Sequence, residues 1–283
     1  MENAEERKEV KKSGKLKKFL IIIILLGCGL FAYVRFVGTS DFIVKEYPVY
    51  SDKLPSNFNG LKIVQISNIH YGSLNKGKLD SVVAEINKIK PDIVVFTGDL
   101  YDEFTVLTDD AKNEMINSLS KIDTKLGKYS VKGNHDYSQD GYEEIMEKSG
   151  FVNLYNSSKI IYYNGSEPIE IVGYPSYLME DPNYNYEVSN YYKIGLIHEP
   201  DAIDNIMDKD FNLVLAGHSH GGQVRLPIIG ELFKAKGCQK YFDEHYKVNN
   251  TDLYINYGLG TVMWNVRYFD RPSINLYRLY SNN

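Results

Sequence analysis

The chain is 283 residues long, enough for one large domain with a packed core. Its 43% hydrophobic and 24% charged residues are ordinary for a folded protein, and its net charge of −5 argues against non-specific nucleic-acid binding, which draws on phosphate neutralisation by Lys and Arg. Only two cysteines are present, Cys28 and Cys238, so neither a disulfide framework nor a thiolate metal site is expected.

The charge is unevenly spread. Residues 1–18 form a basic segment in which seven Lys/Arg outweigh four Glu. Residues 19–37 follow as an apolar stretch with no charge from Phe19 to Val34, and Lys17, Lys18 and Arg35 can snorkel to either interface. A spanning helix needs about 20 apolar residues, so this segment is predicted to cross the membrane. The lysine cluster places the N-terminus in the cytoplasm by the positive-inside rule and the body outside the membrane. A cleaved signal peptide is the competing reading, although only the poor Val37-Gly38-Thr39 site follows the apolar core.

Residues 38–58 read as a linker and first strand, and 59–283 as the body. Leu61–Ser67 is predicted as a strand. Leu79, Val82, Val83 and Ile86 then recur at helical spacing over 75–90. Pro91 ends that helix, and the continuous apolar run Ile93–Thr97 reads as a buried strand. Met115, Leu119 and Ile122 mark a second helix, Lys128–Lys132 a strand, and Gly141–Ser149 a third helix. Further strands are expected at Ile160–Tyr163, Ile169–Val172, Ile194–Ile197, Leu213–Ala216, Leu253–Tyr257 and Ile274–Leu279, the last two as an antiparallel pair. Residues 174–192 are rich in tyrosine, which fits either an aromatic lip or an AT-rich surface loop.

Five of the six histidines fall in short motifs at strand-to-loop junctions: Asn68-Ile69-His70, Gly133-Asn134-His135-Asp136, His198-Glu199-Pro200 and Gly217-His218-Ser219-His220, with Gly98-Asp99-Leu100-Tyr101-Asp102 among them. In open α/β folds, ligands bind at that end of the strands. A two-metal site needs an anionic oxygen placed between ions about 3.5–4 Å apart, then separate ligands for each. Asp99 is the natural bridging carboxylate, His70, His198, His218 and His220 supply imidazoles, and Asn134 supplies an amide oxygen. Taken singly, each histidine could be a buried, hydrogen-bonded residue; taken together they favour metal ligation. His245 matches no motif and is expected at the surface. Gln223 and Arg225 are placed at the pocket, with an exposed strand end as the alternative for Arg225.

This ordered series resembles the calcineurin-like metallophosphoesterase superfamily. The run Gly217-His-Ser-His-Gly-Gly-Gln-Val-Arg-Leu-Pro227 resembles its bacterial membrane-anchored, YkuE/YaeI-like branch, and the resemblance covers about residues 42–280. It implies an α/β fold, a four-layer αββα sandwich of mixed sheets behind the N-terminal transmembrane helix. It also implies two divalent ions, the first held by Asn68, His70, Asp99 and His220, the second by Asp99, Asn134, His198 and His218. Mn, Fe or Zn suit this mixed N/O set better than Mg. His135 would protonate the leaving oxygen, with Asp136 beside it in the catalytic set, while Asp136, Asp102 and Gln223 would orient the groups around them. The implied reaction is attack of a metal-bridged hydroxide on phosphorus in a phosphomonoester, phosphodiester or pyrophosphate. With a membrane anchor, a lipid-linked or envelope-derived substrate is one option.

The family's first motif is Asp-x-His, and this chain has Asn68 at the first position. A neutral amide oxygen holds a hard cation less well than a carboxylate. A degenerate relative that binds a metal or ligand at the cell surface without turnover is therefore the alternative function.

Overall fold

A computed structural model describes the protein over residues 4–74 and 77–282. It opens on a long helix, α1 (Ala4–Ala32), which runs on through a π-helical turn at Tyr33–Val37. Within it Lys15–Val37 spans 23 residues at a mean hydropathy of 2.5, with none of that window buried against the rest of the chain.

The body then follows as β1 (Ile43–Ser51), β2 (Lys62–Ile66), α2 (Lys78–Ile89), β3 (Ile93–Thr97), α3 (Asp109–Leu119), β4 (Lys128–Val131), α4 (Tyr142–Lys148) and β5 (Phe151–Asn153). Its second half comprises β6 (Ser157–Ile161), β7 (Ile169–Gly173), β8 (Tyr192–Leu196), β9 (Leu213–Ala216), the short β10 (Arg225–Leu226) and β11 (Gly230–Glu231), β12 (His245–Val248), β13 (Thr251–Ile255) and β14 (Ser273–Ser281). Two six-stranded mixed sheets result, ordered β1-β14-β2-β3-β4-β5 and β12-β13-β9-β8-β7-β6, with β10 and β11 as a separate hairpin.

Side-chain alternation along the strands builds the layers. On β3, Ile93 and Val95 point to the interior between the sheets, where Leu213 and Leu215 of β9 meet them. Val94 and Phe96 face the other way, onto the helical layer carrying Leu79, Val82, Met115 and Ile145. Val214 and Ala216 of β9 turn outward beneath a 3₁₀ helix at Pro200–Lys209 and the tyrosine-rich stretch. That outer layer is thinner than the helical one. Tyr174 is fully buried there, with Tyr177, Tyr184 and Tyr186 packed against it, so these residues cover the second sheet.

The expectation that the strands at Leu253–Tyr257 and Ile274–Leu279 pair with each other is corrected. β13 lies in the second sheet, parallel to β9 and antiparallel to β12, while β14 crosses to the first, parallel to β1 and antiparallel to β2. Each finds an antiparallel partner, but the 17 residues from Asn256 to Pro272 carry the chain between sheets. β5, β12, the β10–β11 hairpin and the Pro200–Lys209 turn were not foreseen. They are short or lie in polar, poorly periodic sequence. Buried Gln65 joins the sheets beneath the histidine motifs: its amide N–H groups donate to Thr97 Oγ1 and Ala216 O, both at 2.8 Å, and its oxygen accepts from Tyr277 Oη at 2.6 Å.

Candidate metal centre

The motif residues follow the C-terminal ends of β2, β3, β4, β8 and β9, which converge on one edge of the sandwich. To turn side chains back over the strand ends the backbone adopts left-handed angles at Asn68, His70, Asp99, His218 and His220, with φ between 41° and 65°. Such angles are uncommon outside glycine and tend to gather where a fixed geometry serves function. Gly98 has φ of 91°, and a Cβ there would lie 2.5 Å from His198 Nδ1 and 2.6 Å from the Gly133 backbone. Gly98→Ala will therefore displace the His198 loop and destabilise the fold by about 1–3 kcal/mol. Thermal melting, read beside bound-metal content, checks this: both should fall.

Asp99 is central and fully buried, and its carboxylate belongs to two groups. His70, Asp99 and His220 bring one potential ligand atom each within 4.8 Å of one another, as do Asp99, His198 and His218. In the latter group His198 donates its Nδ1 proton to Thr97 O at 2.6 Å, and His218 donates its Nε2 proton to Lys236 O at 2.8 Å. The remaining nitrogens, His198 Nε2 and His218 Nδ1, therefore present lone pairs to each other at 3.2 Å. Asp99 Oδ2 lies 3.0 Å and Asn134 Oδ1 3.2 Å from His198 Nε2. Four acceptors thus converge with no donor among them unless a proton or a cation sits between. Burial alone would depress His198, but the Asp99 carboxylate overrides it and carries its pKa up to about 9. Burial holds His218 down at about 4, so it stays a neutral imidazole.

In the other group His70 Nε2 and His220 Nε2 face each other at 3.0 Å, with Asp99 Oδ2 at 3.5 Å from the former. Burial pushes His70 down to about 3 and His220 well below its ordinary value, so both are neutral imidazoles at neutral pH, each with one ring nitrogen left as a lone pair. Asn68 sits beside them, and its amide is already committed: Oδ1 accepts from the His218 N–H and from Ser67 Oγ, each at 3.0 Å. Its Nδ2 is buried without a hydrogen-bond partner.

Asp136 is fully buried, and its carboxylate accepts the backbone N–H groups of Asp99, Leu100 and Gly133 at 2.7–2.9 Å, locking the Asp99 and Gly133 loops together. Burial and the neighbouring Asp99 charge push Asp136 up to about 7. His135 is half-buried, its backbone N–H donating to Asp99 Oδ1 at 2.9 Å and its ring edge-on to His70 at a 5.0 Å centroid distance. The Asp102 carboxylate accepts the Phe104 N–H in a local turn, and Asp136 is the carboxylate that braces the Asp99 and Gly133 loops. Gln223 pairs through both amide atoms with the Val262 backbone. Arg225 is spent on Asp243 and Glu231 in the hairpin.

Sequence reasoning missed Arg267. It is fully buried, ion-paired to Asp270 at 3.0 Å, and donates to the carbonyls of Tyr257 and Gly260 at 2.8 and 2.7 Å, fastening the Asn256–Pro272 crossing onto itself behind His220. Removing one partner of such a pair costs roughly 3–5 kcal/mol. An Arg and an Asp three apart in an otherwise apolar run were the available signal. Buried Glu199, which accepts from the Ser176 hydroxyl, was noted only as part of its motif.

The site opens into a cavity of about 430 Å³, floored by Asp99, His135, His218 and His220 and walled by Val224, Phe233, Val262 and Trp264, among others.

Comparison with known proteins places this architecture. Residues 61–222 match the calcineurin-like phosphoesterase family model. The chain is 32% identical over 263 residues to the metallophosphoesterase YkuE of Bacillus subtilis (strain 168), covering 90% of this chain and 91% of YkuE. It is 26% identical over 280 residues to YkoQ of the same organism, covering 90% and 99% of the two chains. It is 28% identical over 282 residues to a Danio rerio transmembrane protein with a metallophosphoesterase domain, covering 92% of this chain and 62% of that longer protein. The fold, the buried His/Asp groups at its strand ends and these relatives together show that the chain belongs to the calcineurin-like phosphoesterase family.

Proposed function

We propose that the protein is a membrane-anchored, metal-dependent phosphoesterase with two cation positions sharing Asp99. The observation that carries this reading is the convergence of His198 Nε2, His218 Nδ1, Asn134 Oδ1 and Asp99 Oδ2 on one point, held together by a single proton on His198 that a cation would replace. His198 and His218 each fix their tautomer by donating the other ring N–H to a carbonyl, the arrangement that aims an imidazole lone pair at a metal. His70, His220 and Asp99 would hold the other ion. Divalent ions there supply charge to a phosphoryl oxygen and a nucleophile from water at neutral pH. The mixed nitrogen and oxygen donors favour Mn, Fe or Zn.

The chain's own residues do the rest. Asp99 sets the two cation positions through one carboxylate. Asp136 holds the Asp99 and Gly133 loops in register. His135 stands at the cavity floor, where it can give a proton to the departing oxygen. The exposed Lys15–Val37 helix is the membrane anchor, with the basic N-terminal segment on the cytoplasmic side and the body on the other face. The test is full-length protein stripped of metal, reloaded with Mn²⁺ or Zn²⁺ and assayed on a chromogenic phosphodiester. Metal-restored turnover is expected; none, with both positions filled, would overturn the reading.

One observation favours a second reading, a binding relative without turnover. Asn68 Oδ1 is engaged by the His218 N–H, and its free Nδ2 is a donor, so this side chain cannot ligate as a carboxylate does. Asn68→Asp keeps one oxygen on His218 and frees a second, charged one. It should tighten the ion held by His70, Asp99 and His220 about tenfold or more and leave the other position unchanged. Metal titration of both forms measures this. If activity is present only in Asn68→Asp, the second reading holds.

A further inference from the structure

The cavity above the cation groups is mostly apolar, and its rim is more so. Ile228 and Ile229 at the tip of the β10–β11 hairpin, Phe233 beyond it, and Met263, Trp264 and Phe269 in the crossing from β13 to β14 are large apolar side chains, all more than 60% exposed. Of these, Phe233, Met263 and Trp264 line the cavity itself, so two loops present apolar side chains as a lip at its mouth above a polar floor. Contiguous exposed apolar surface of this kind marks an interaction site.

The same crossing segment is tied to the end of the membrane helix. Arg267 N donates to Val34 O at 3.0 Å, and the Tyr33 ring stands edge-on to Tyr268 at 6.4 Å. Gly38 packs against the Arg267 carbonyl, where a side chain would not fit. Lys78 then holds the next turn through Thr39 O at 2.7 Å and Leu259 O at 3.2 Å. The mouth of the cavity is therefore fixed next to the point where the apolar helix ends, not left on a free tether.

We infer that the lip is seated in the bilayer interface and that the substrate is a membrane-resident phosphoester, its phosphate at the cation groups and its apolar chain running along Val224, Phe233, Val262 and Trp264 into the lipid. This rests on the phosphoesterase reading above and names the substrate class for it. A water-soluble phosphoester would gain nothing from these walls. An amphiphile gains burial along them at about 0.8 kcal/mol per methylene. Trp and Phe at such a lip match the side chains that settle at membrane interfaces.

Trp264 is the only tryptophan in the chain, so its fluorescence reports on the lip directly. Full-length protein in phosphatidylcholine vesicles should lose Trp264 emission about twofold or more when the lipids carry brominated chains. Emission that brominated lipid leaves unchanged overturns the proposal. The second arm compares metal-loaded protein on methyl and dodecyl p-nitrophenyl phosphodiesters, which share a leaving group. The dodecyl ester should show kcat/KM about tenfold or more higher, and Phe233→Ser with Met263→Ser should bring that ratio toward one. Because the readout is a ratio, poor folding of the variant does not mimic the effect. A wild-type ratio near one overturns the proposal and leaves the phosphoesterase standing. If neither ester turns over with metal bound, the phosphoesterase reading fails and this inference falls with it.

Discussion

Asp99→Asn will weaken both cation positions at once, whereas removing any other ligand will weaken one. The reason is placement. The Asp99 carboxylate is the only acidic group in both buried His/Asp groups, with Oδ2 3.0 Å from His198 Nε2 and 3.5 Å from His70 Nε2. Its charge also stabilises the proton that His198 carries when no metal is present. The amide is close in shape and can still accept the His135 N–H, so the loops should stay folded. The lost quantity is the negative charge facing two cations. Loss of a group that merely orients a ligand lowers metal affinity about 10–100-fold, and a shared anionic ligand should exceed that at both positions. Metal content after dialysis should drop toward zero for both ions, and turnover should fall by about 10³-fold or more with it. His70→Ala and His218→Ala serve as controls, each expected to lower one of the two ions. If Asp99→Asn keeps one ion at wild-type affinity, Asp99 is not shared.

Much of this site was legible in the sequence, for a physical reason. Buried strands of a parallel sheet read as continuous apolar runs, so Ile93–Thr97 and Leu213–Ala216 could be placed directly, and the ligand-type residues stood just beyond them. Which atoms would meet was not legible. The contact of His198 with Asp99 spans two sheets, and its tautomer depends on the carbonyl of Thr97, about which side-chain patterns are silent. Asn68 shows the same gap from the other side. Its identity was readable as a departure from Asp, but the engagement of its oxygen by the His218 N–H needed the fold. Asp102 reads as part of one motif, Gly98-Asp99-Leu100-Tyr101-Asp102, and its contacts needed the fold. The chain turns after Leu100, and Asp102 faces its own loop. Arg267 escaped notice because a buried charge is defined by what surrounds it, here Asp270 and the Tyr257 and Gly260 carbonyls of its own crossing segment together with the His220 carbonyl from another loop.

His135→Ala should separate proton transfer from metal binding. The His135 side chain belongs to neither His/Asp group; it is its backbone N–H that contacts Asp99, and alanine keeps that bond. Both ions should therefore remain at wild-type stoichiometry. The imidazole is half-buried at the cavity floor and edge-on to His70, and in the proposed reaction it gives its proton to the departing oxygen. General acid catalysis of this kind contributes about 10²–10⁴-fold, and its contribution depends on how much the leaving oxygen needs a proton. An alkoxide needs one; p-nitrophenolate does not. The expected result is a loss of about 10²–10⁴-fold in kcat on an alkyl phosphate ester and a much smaller loss on the nitrophenyl ester. A residue that only positioned the phosphate would lower both equally, mostly through KM. Equal losses would assign His135 to binding and leave the proton donor to be sought among the other groups at the cavity floor.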